Sequence, residues 1–147
     1  MSLLLVTSNT NLQPVETNEI INLGSVIRKY CKKINCVPTF NFTGQTISLL
    51  QSGIYEVSVN ITFTGTVAGT ATFQLEKNGV VLTGATASET ITTADTELRS
   101  VAFNFPILVN NTCVLNTLST DLTNLTVVNT GIGTTIQNIT VFVTKKV

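Results

Sequence analysis

Side chains able to do chemistry are scarce in this chain. Its 147 residues hold eight carboxylates, eight lysines and arginines, three cysteines and no histidine. Without imidazole, catalytic triads that need it and histidine-ligated metals are excluded. The carboxylates (Glu16, Glu19, Glu56, Glu76, Glu89, Asp95, Glu97 and Asp121) are scattered. Asp95 and Glu97 are the most closely spaced, but calcium takes about six to eight oxygen ligands, so a solvated loop is the better reading. No segment suggests a paired-carboxylate glycosidase. Gly131 and Gly133 in NTGIGTT lack the lysine and the following helix of a phosphate loop. The expectation is a protein that is not an enzyme, with no catalytic residue, cofactor or metal.

Cys31 and Cys36 are separated by four residues, as in half a zinc site, yet no second cysteine pair or histidine completes four ligands. An odd cysteine count is a poor disulfide framework, so free thiols are expected, with a Cys31–Cys36 bridge forming only on oxidation. Cys113, in a strand-like run, reads as a small core residue. Arg28, Lys29, Lys32 and Lys33 place half of the basic residues within six positions. They form either a solvated basic turn or a docking contact for an acidic protein surface. Net charge is zero, so neither nucleic acid nor membrane is expected as a partner.

The elements that position these groups are strands. In Ile54–Thr64, Tyr55, Val57, Val59, Ile61 and Phe63 share one face, and Glu56, Ser58, Asn60, Thr62 and Thr64 share the other. Thr, Val and Ile exceed a third of all residues, and β-branched side chains suit a pleated surface. Strand-like runs recur from Thr46: Thr46–Leu50, Ile54–Thr64, Thr70–Lys77, Val80–Thr83, Leu98–Ile107, Thr112–Leu118, Thr123–Asn129 and Ile136–Thr144. Asn78-Gly79 is a hairpin turn signal. Thr86–Thr93 reads as an edge strand or exposed loop. Ile136 is out of phase with Ile139, Val141 and Val143, which indicates a bulge.

Residues 1–45 differ in composition, holding Pro14, Pro38, the basic cluster and two of the cysteines. They are expected to be an N-terminal segment that either anchors the protein or supplies the first strands, ahead of a domain over 46–147. Ile20, Ile21, Leu23, Val26 and Ile27 would form one strand or a docking segment. Leu3 to Val6 lacks a preceding basic residue, so no secretory signal is read and synthesis and assembly in the cytoplasm are expected. Sequons at Asn41, Asn60, Asn110, Asn124 and Asn138 then carry little meaning. Only 11% of residues are charged, and no apolar run approaches the ~20 residues that span a bilayer. The apolar excess therefore points to a subunit interface.

GIYEVSVNITFTG (53–65), ATFQLEKNGVVLTGA (71–85), VVNTG (127–131) and ITVFVTK (139–145) together resemble the C1q/TNF-like jelly roll. The resemblance covers roughly residues 46–146 and is strongest to the bacterial and phage branch. Members of that branch are trimeric heads on phage head fibres, capsid decorations, tail parts and spore-surface collagen-like proteins. INLGSVIRKY (21–30) resembles the segment that precedes the jelly roll in phage-type proteins. The chain has no Gly-X-Y stalk, which disfavours the spore-surface type.

The resemblance implies an all-β antiparallel jelly-roll sandwich and a homotrimer about a three-fold axis. Tyr55, Phe63, Phe73, Phe103, Phe105 and Phe142 are candidates for the core or that interface. Phe142 is foremost for the interface, because it opposes the Ile139, Val141 and Val143 face. The expected function is a structural bacteriophage protein on the virion surface, a capsid decoration or head fibre. Arg28, Lys29, Lys32 and Lys33 would dock on the major capsid protein or another virion protein. The rival is a receptor-binding or adhesion head for host surface glycan. The loops expected at 64–69, 83–96 and 129–135 contain no aromatic residue, which favours decoration.

Overall fold

The computed structural model describes residues 3–32, 38–109 and 123–147. Lys33, Cys36, Cys113, Asp121, the sequon at Asn110 and the run Thr112–Leu118 lie outside the described residues. The long alternating strand forms over Gly53–Gly65, with Tyr55, Val57, Val59, Ile61 and Phe63 all buried and Ile54, Glu56 and Asn60 exposed. It is β6 in a chain whose described residues contain strands and no helix. Before it come β1 (Leu3–Asn9), β2 (Gln13–Val15), β3 (Ser25–Tyr30), β4 (Phe40–Phe42) and β5 (Ile47–Leu49). After it come β7 (Gly69–Lys77), β8 (Val80–Ile91), β9 (Leu98–Val109), β10 (Thr123–Asn129) and β11 (Thr134–Lys145).

Two antiparallel sheets result. One has the order β3-β1-β11-β6-β9, with β2 also paired to β11, and the other the order β4-β5-β10-β7-β8. Strands remote in sequence are neighbours in each sheet, as in a jelly-roll sandwich. Between the sheets, the Phe63 and Phe73 rings meet edge to face at 5.0 Å, and Phe40 meets Tyr55 at 6.0 Å. Edge-to-face pairs bring the positive ring edge to the negative ring face, which fixes their relative orientation beyond simple burial. Residues 3–45 supply β1, β2 and β3 to the larger sheet and β4 to the smaller. β1 lies between β3 and β11, so excising residues 1–45 would strip a strand from inside the larger sheet.

Asn78 and Gly79 both have positive φ (52° and 79°), the type I′ geometry that suits a tight hairpin. The register between β6 and β11 shifts between Ile136 and Asn138, so Ile136 and Ile139 both reach the core. That is the bulge signalled by the phase change. Pro106 interrupts no ladder of consequence, because β9 is an edge strand.

Three expectations are corrected. Val80–Thr83 and the edge strand expected from Thr86 belong to one edge strand, β8, which ends at Ile91, and most of the loop expected at 83–96 is therefore strand. Gly84, with φ +93°, and a register shift at Gln74/Glu76 let the strand run on through its bulge. Its polar alternation reflects its edge position. Second, Ile20–Ile27 is not one strand. Ile21 and Leu23 plug the core, Ile20 bridges to Val128, and Gly24 (φ +82°) turns the chain before β3 begins. Third, Val26 and Ile27 are exposed rather than paired with that apolar set.

Candidate functional site

The outer face of the larger sheet carries the side chains that the core alternation leaves over. In β11, Val141 and Val143 are buried, so Phe142 points outward and is 44% exposed. Register places Arg28, Val6, Phe142, Ser58 and Asn104 in one row across the five strands. The next row toward the C-terminal end of β11 is Tyr30, Leu4, Thr144, Glu56 and Pro106. On the other side of the Phe142 row lie Ser8, Thr140, Asn60 and Ala102. The charged groups on this face are Arg28, on edge strand β3 in the Phe142 row, and Glu56, on β6 in the next row and paired to Lys146 at 3.5 Å. A large exposed phenyl ring thus sits amid small uncharged side chains, a surface that loses little on desolvation.

The basic cluster divides between two faces. All six residues of β3 are exposed, and the strand is an edge. Arg28 aligns with Val6 and lies on the outer face, whereas Lys29 aligns with Leu5 and lies on the other. Lys32 follows the strand, and its main chain is held firmly. Its carbonyl accepts from the Thr39 hydroxyl (3.0 Å) and the Gln51 amide (2.6 Å). Gln51 also accepts from the Lys145 ammonium at 3.3 Å, and its carbonyl accepts from the Tyr55 hydroxyl at 2.6 Å. The cations therefore project from a braced end of the sandwich.

Burial pushes the Tyr55 phenol up from 10.0 to about 12, opposed in part by its bond to the Gln51 carbonyl. A raised folded-state value means that stability is fully present below pH 10 and is lost as pH climbs toward 12. Alkaline titration of the unfolding free energy should show this loss, up to roughly 3 kcal/mol, and Tyr55→Phe should flatten it.

At the opposite end, Glu97 accepts from the Thr92 amide and hydroxyl, both at 2.8 Å, and meets Arg99 at 3.3 Å. Those bonds, the amide first, lower its carboxyl from 4.5 to about 2. Arg99 also approaches Glu89 of β8 at 3.9 Å and so links the edge strands of the two sheets. Asp95 has positive φ and donates its amide to the Gly65 carbonyl. Glu97 thus braces the β8–β9 turn instead of sitting in a merely solvated loop. Among the described residues no group of three or more metal-ligating side chains occurs. A depressed folded-state value contributes stability above pH 4.5 that fades as pH falls toward 2. Replacing Glu97 with glutamine should therefore remove part of the acid dependence in that window, measured by urea denaturation at a series of pH values.

Of the aromatic candidates, Tyr55, Phe63 and Phe73 are fully buried in the core. Phe103 and Phe105 are partly buried against it at the β9 edge, and Phe142 stands apart on the outer face. Cys31 is an exposed free thiol. Pattern reading missed the contribution of β1, since the unbroken apolar run Leu3–Val6 shows no alternation. It also missed a shallow concavity of about 270 Å³ lined by Ile54, Tyr55, Glu56, Asn104, Phe105, Pro106 and Lys146. Those residues come together only when β6 pairs with β9.

No protein-family model matches the chain, and no curated protein matches it in sequence. Solved structures do match its fold. Eiger TNF from S. frugiperda aligns over 100% of this chain and 92% of its own, at 11% identity and TM-score 0.63. Murine APRIL at pH 5.0 aligns over 99% of this chain and 100% of its own, at 12% identity and TM-score 0.68. The PRD1 vertex protein P5 aligns over 98% of this chain and 95% of its own, at 14% identity and TM-score 0.53. The chain has a TNF-like jelly-roll fold.

Proposed function

We propose that three copies of this chain assemble about a three-fold axis into a structural head on the surface of a bacteriophage particle, as a capsid decoration or head fibre. The observation that carries self-association is Phe142, large, apolar, exposed and flanked across its row by Val6 and Ser58 near the centre of the outer sheet face. The low charge of the whole chain agrees, because a free monomer would leave that face to water. The likeness in fold to a viral vertex protein supports the virion setting. In this reading Lys29, which lies off the trimer face, and Lys32, which follows β3, contact an acidic patch of the major capsid protein or another virion protein. Weak contacts of this kind gain from acting in three copies at once.

Point substitutions test the docking, because β1 to β4 belong to the sheets and cannot be removed. Particles assembled with the K29E/K32E chain should lose most of their copies at ionic strengths that leave the unsubstituted chain in place, as read by quantitative gel of purified particles. Full retention of the charge-reversed chain would exclude the basic end as the anchor. Absence of the unsubstituted chain from particles would overturn the virion role itself.

A further inference from the structure

We infer that Tyr30 of one copy seats in the Ile54–Glu56–Pro106 concavity of the next copy around the ring. This rests on the trimer reading above and specifies the contact that closes it. Rotation about a symmetry axis moves nothing along that axis. We place the strands roughly along that axis, so that residues in one cross-strand row stay level from copy to copy. A ring is closed by joining one edge of a subunit to a different edge of its neighbour at the same level.

Tyr30 and Pro106 are the two ends of a single row, reached through Leu4, Thr144 and Glu56. Tyr30 sits on the β3 edge and is 48% exposed, with no ring partner among the described residues. The concavity sits at the other edge, between β6 and β9. Its walls are the apolar Ile54 and Pro106 with Phe105 beside them, and its polar groups are Glu56, Asn104 and Lys146. An amphipathic phenol suits that lining, burying its ring while its hydroxyl keeps a polar neighbour.

Charge is complementary as well. Arg28, on the same strand face as Tyr30, has no carboxylate partner within the described residues. Glu56 is half exposed beside its Lys146 contact, so it can accept a second cation arriving with Tyr30. The occupant is thus a second copy of this chain, and the contact is head-to-tail rather than two-fold.

The test places the photoreactive amino acid p-benzoylphenylalanine at position 30, mixes light and ¹⁵N-labelled chains, and maps the cross-links by mass spectrometry. Adducts between copies should fall on residues 54–56 or 104–106. In parallel, Tyr30→Ala should raise the concentration at which the oligomer dissociates by at least tenfold in light scattering, with the protomer's circular dichroism unchanged. Inter-copy adducts elsewhere, or a Tyr30→Ala trimer that dissociates like the unsubstituted one, would overturn this contact while leaving the trimer standing. If the unsubstituted chain has the mass of a monomer at every concentration, the trimer reading fails first and this contact falls with it.

Discussion

Asn129→Ala should cost roughly 3–5 kcal/mol of stability, a large part of what a domain of this size possesses. Asn129 is fully buried at the end of β10. Its side-chain amide donates to the carbonyls of Ile132 (2.8 Å) and Val15 (3.1 Å), with a longer approach to Glu16 (3.4 Å). Its side-chain oxygen accepts from the Gly131 amide at 3.0 Å. Its main chain adds bonds from the Asn18 amide and to the Glu19 carbonyl. One side chain thus ties β2 and the segment after it to the β10–β11 turn. Alanine strands several of these buried groups, each at about 1–3 kcal/mol.

Asn129→Asp is the sharper control, because it keeps the shape and the bond from Gly131 but points an anion at carbonyl oxygens. It should be at least as damaging at pH 7, and part of the loss should return in acid as the carboxyl gains a proton to donate. Urea midpoints at pH 7 and pH 4 would show both effects. A loss below about 1 kcal/mol for the alanine variant would mean that the turn rearranges to satisfy itself.

The VVNTG run was legible as part of a resemblance, but its physical reason was not. Asn129 is one asparagine among many in an Asn- and Thr-rich chain, and two of its partners, Val15 and Glu16, lie more than a hundred residues away. Alternation made β6, β7, β9 and β11 readable, because each has one face in a single core and a side-chain period of two. It failed for β1 and for Ile21 and Leu23. Leu3–Val6 is apolar throughout because Leu5 faces the core, while Val6 on the other face is shielded as well. Ile21 and Leu23 are inserted from a segment outside the ladders, so no periodicity marks them. β8 was read as two pieces because a glycine with positive φ sits inside it, a pattern that fits a turn as well as a bulge. For the candidate site, Phe142 was visible as the one large apolar residue on the wrong face of its strand. The concavity at Ile54 and Pro106 was not, since it depends on the register between β6 and β9.

In the proposed trimer, Phe142→Glu should convert the assembly to monomers, moving the solution mass from three times the 15.7 kDa of one chain to that of one chain. Burying a phenylalanine side chain is worth about 1.5–3 kcal/mol, and a three-fold axis repeats the gain in every copy. Over three copies the sum reaches about 5–9 kcal/mol, enough to change a dissociation constant by several powers of ten. Glutamate removes that gain and adds three carboxylates that neutral neighbours such as Ser58, Asn104 and Thr140 cannot neutralise. The protomer should survive, because Phe142 faces away from the core side chains Val141 and Val143. Its melting profile at low concentration is the check that the fold is intact. Phe142→Ala should weaken the trimer less, since it forfeits burial without introducing charge. Light scattering coupled to size exclusion over a hundredfold range of concentration separates the cases. A Phe142→Glu chain that still runs at three times the protomer mass would move the interface off this face of the sheet. An unsubstituted chain of monomer mass throughout would overturn the trimer itself.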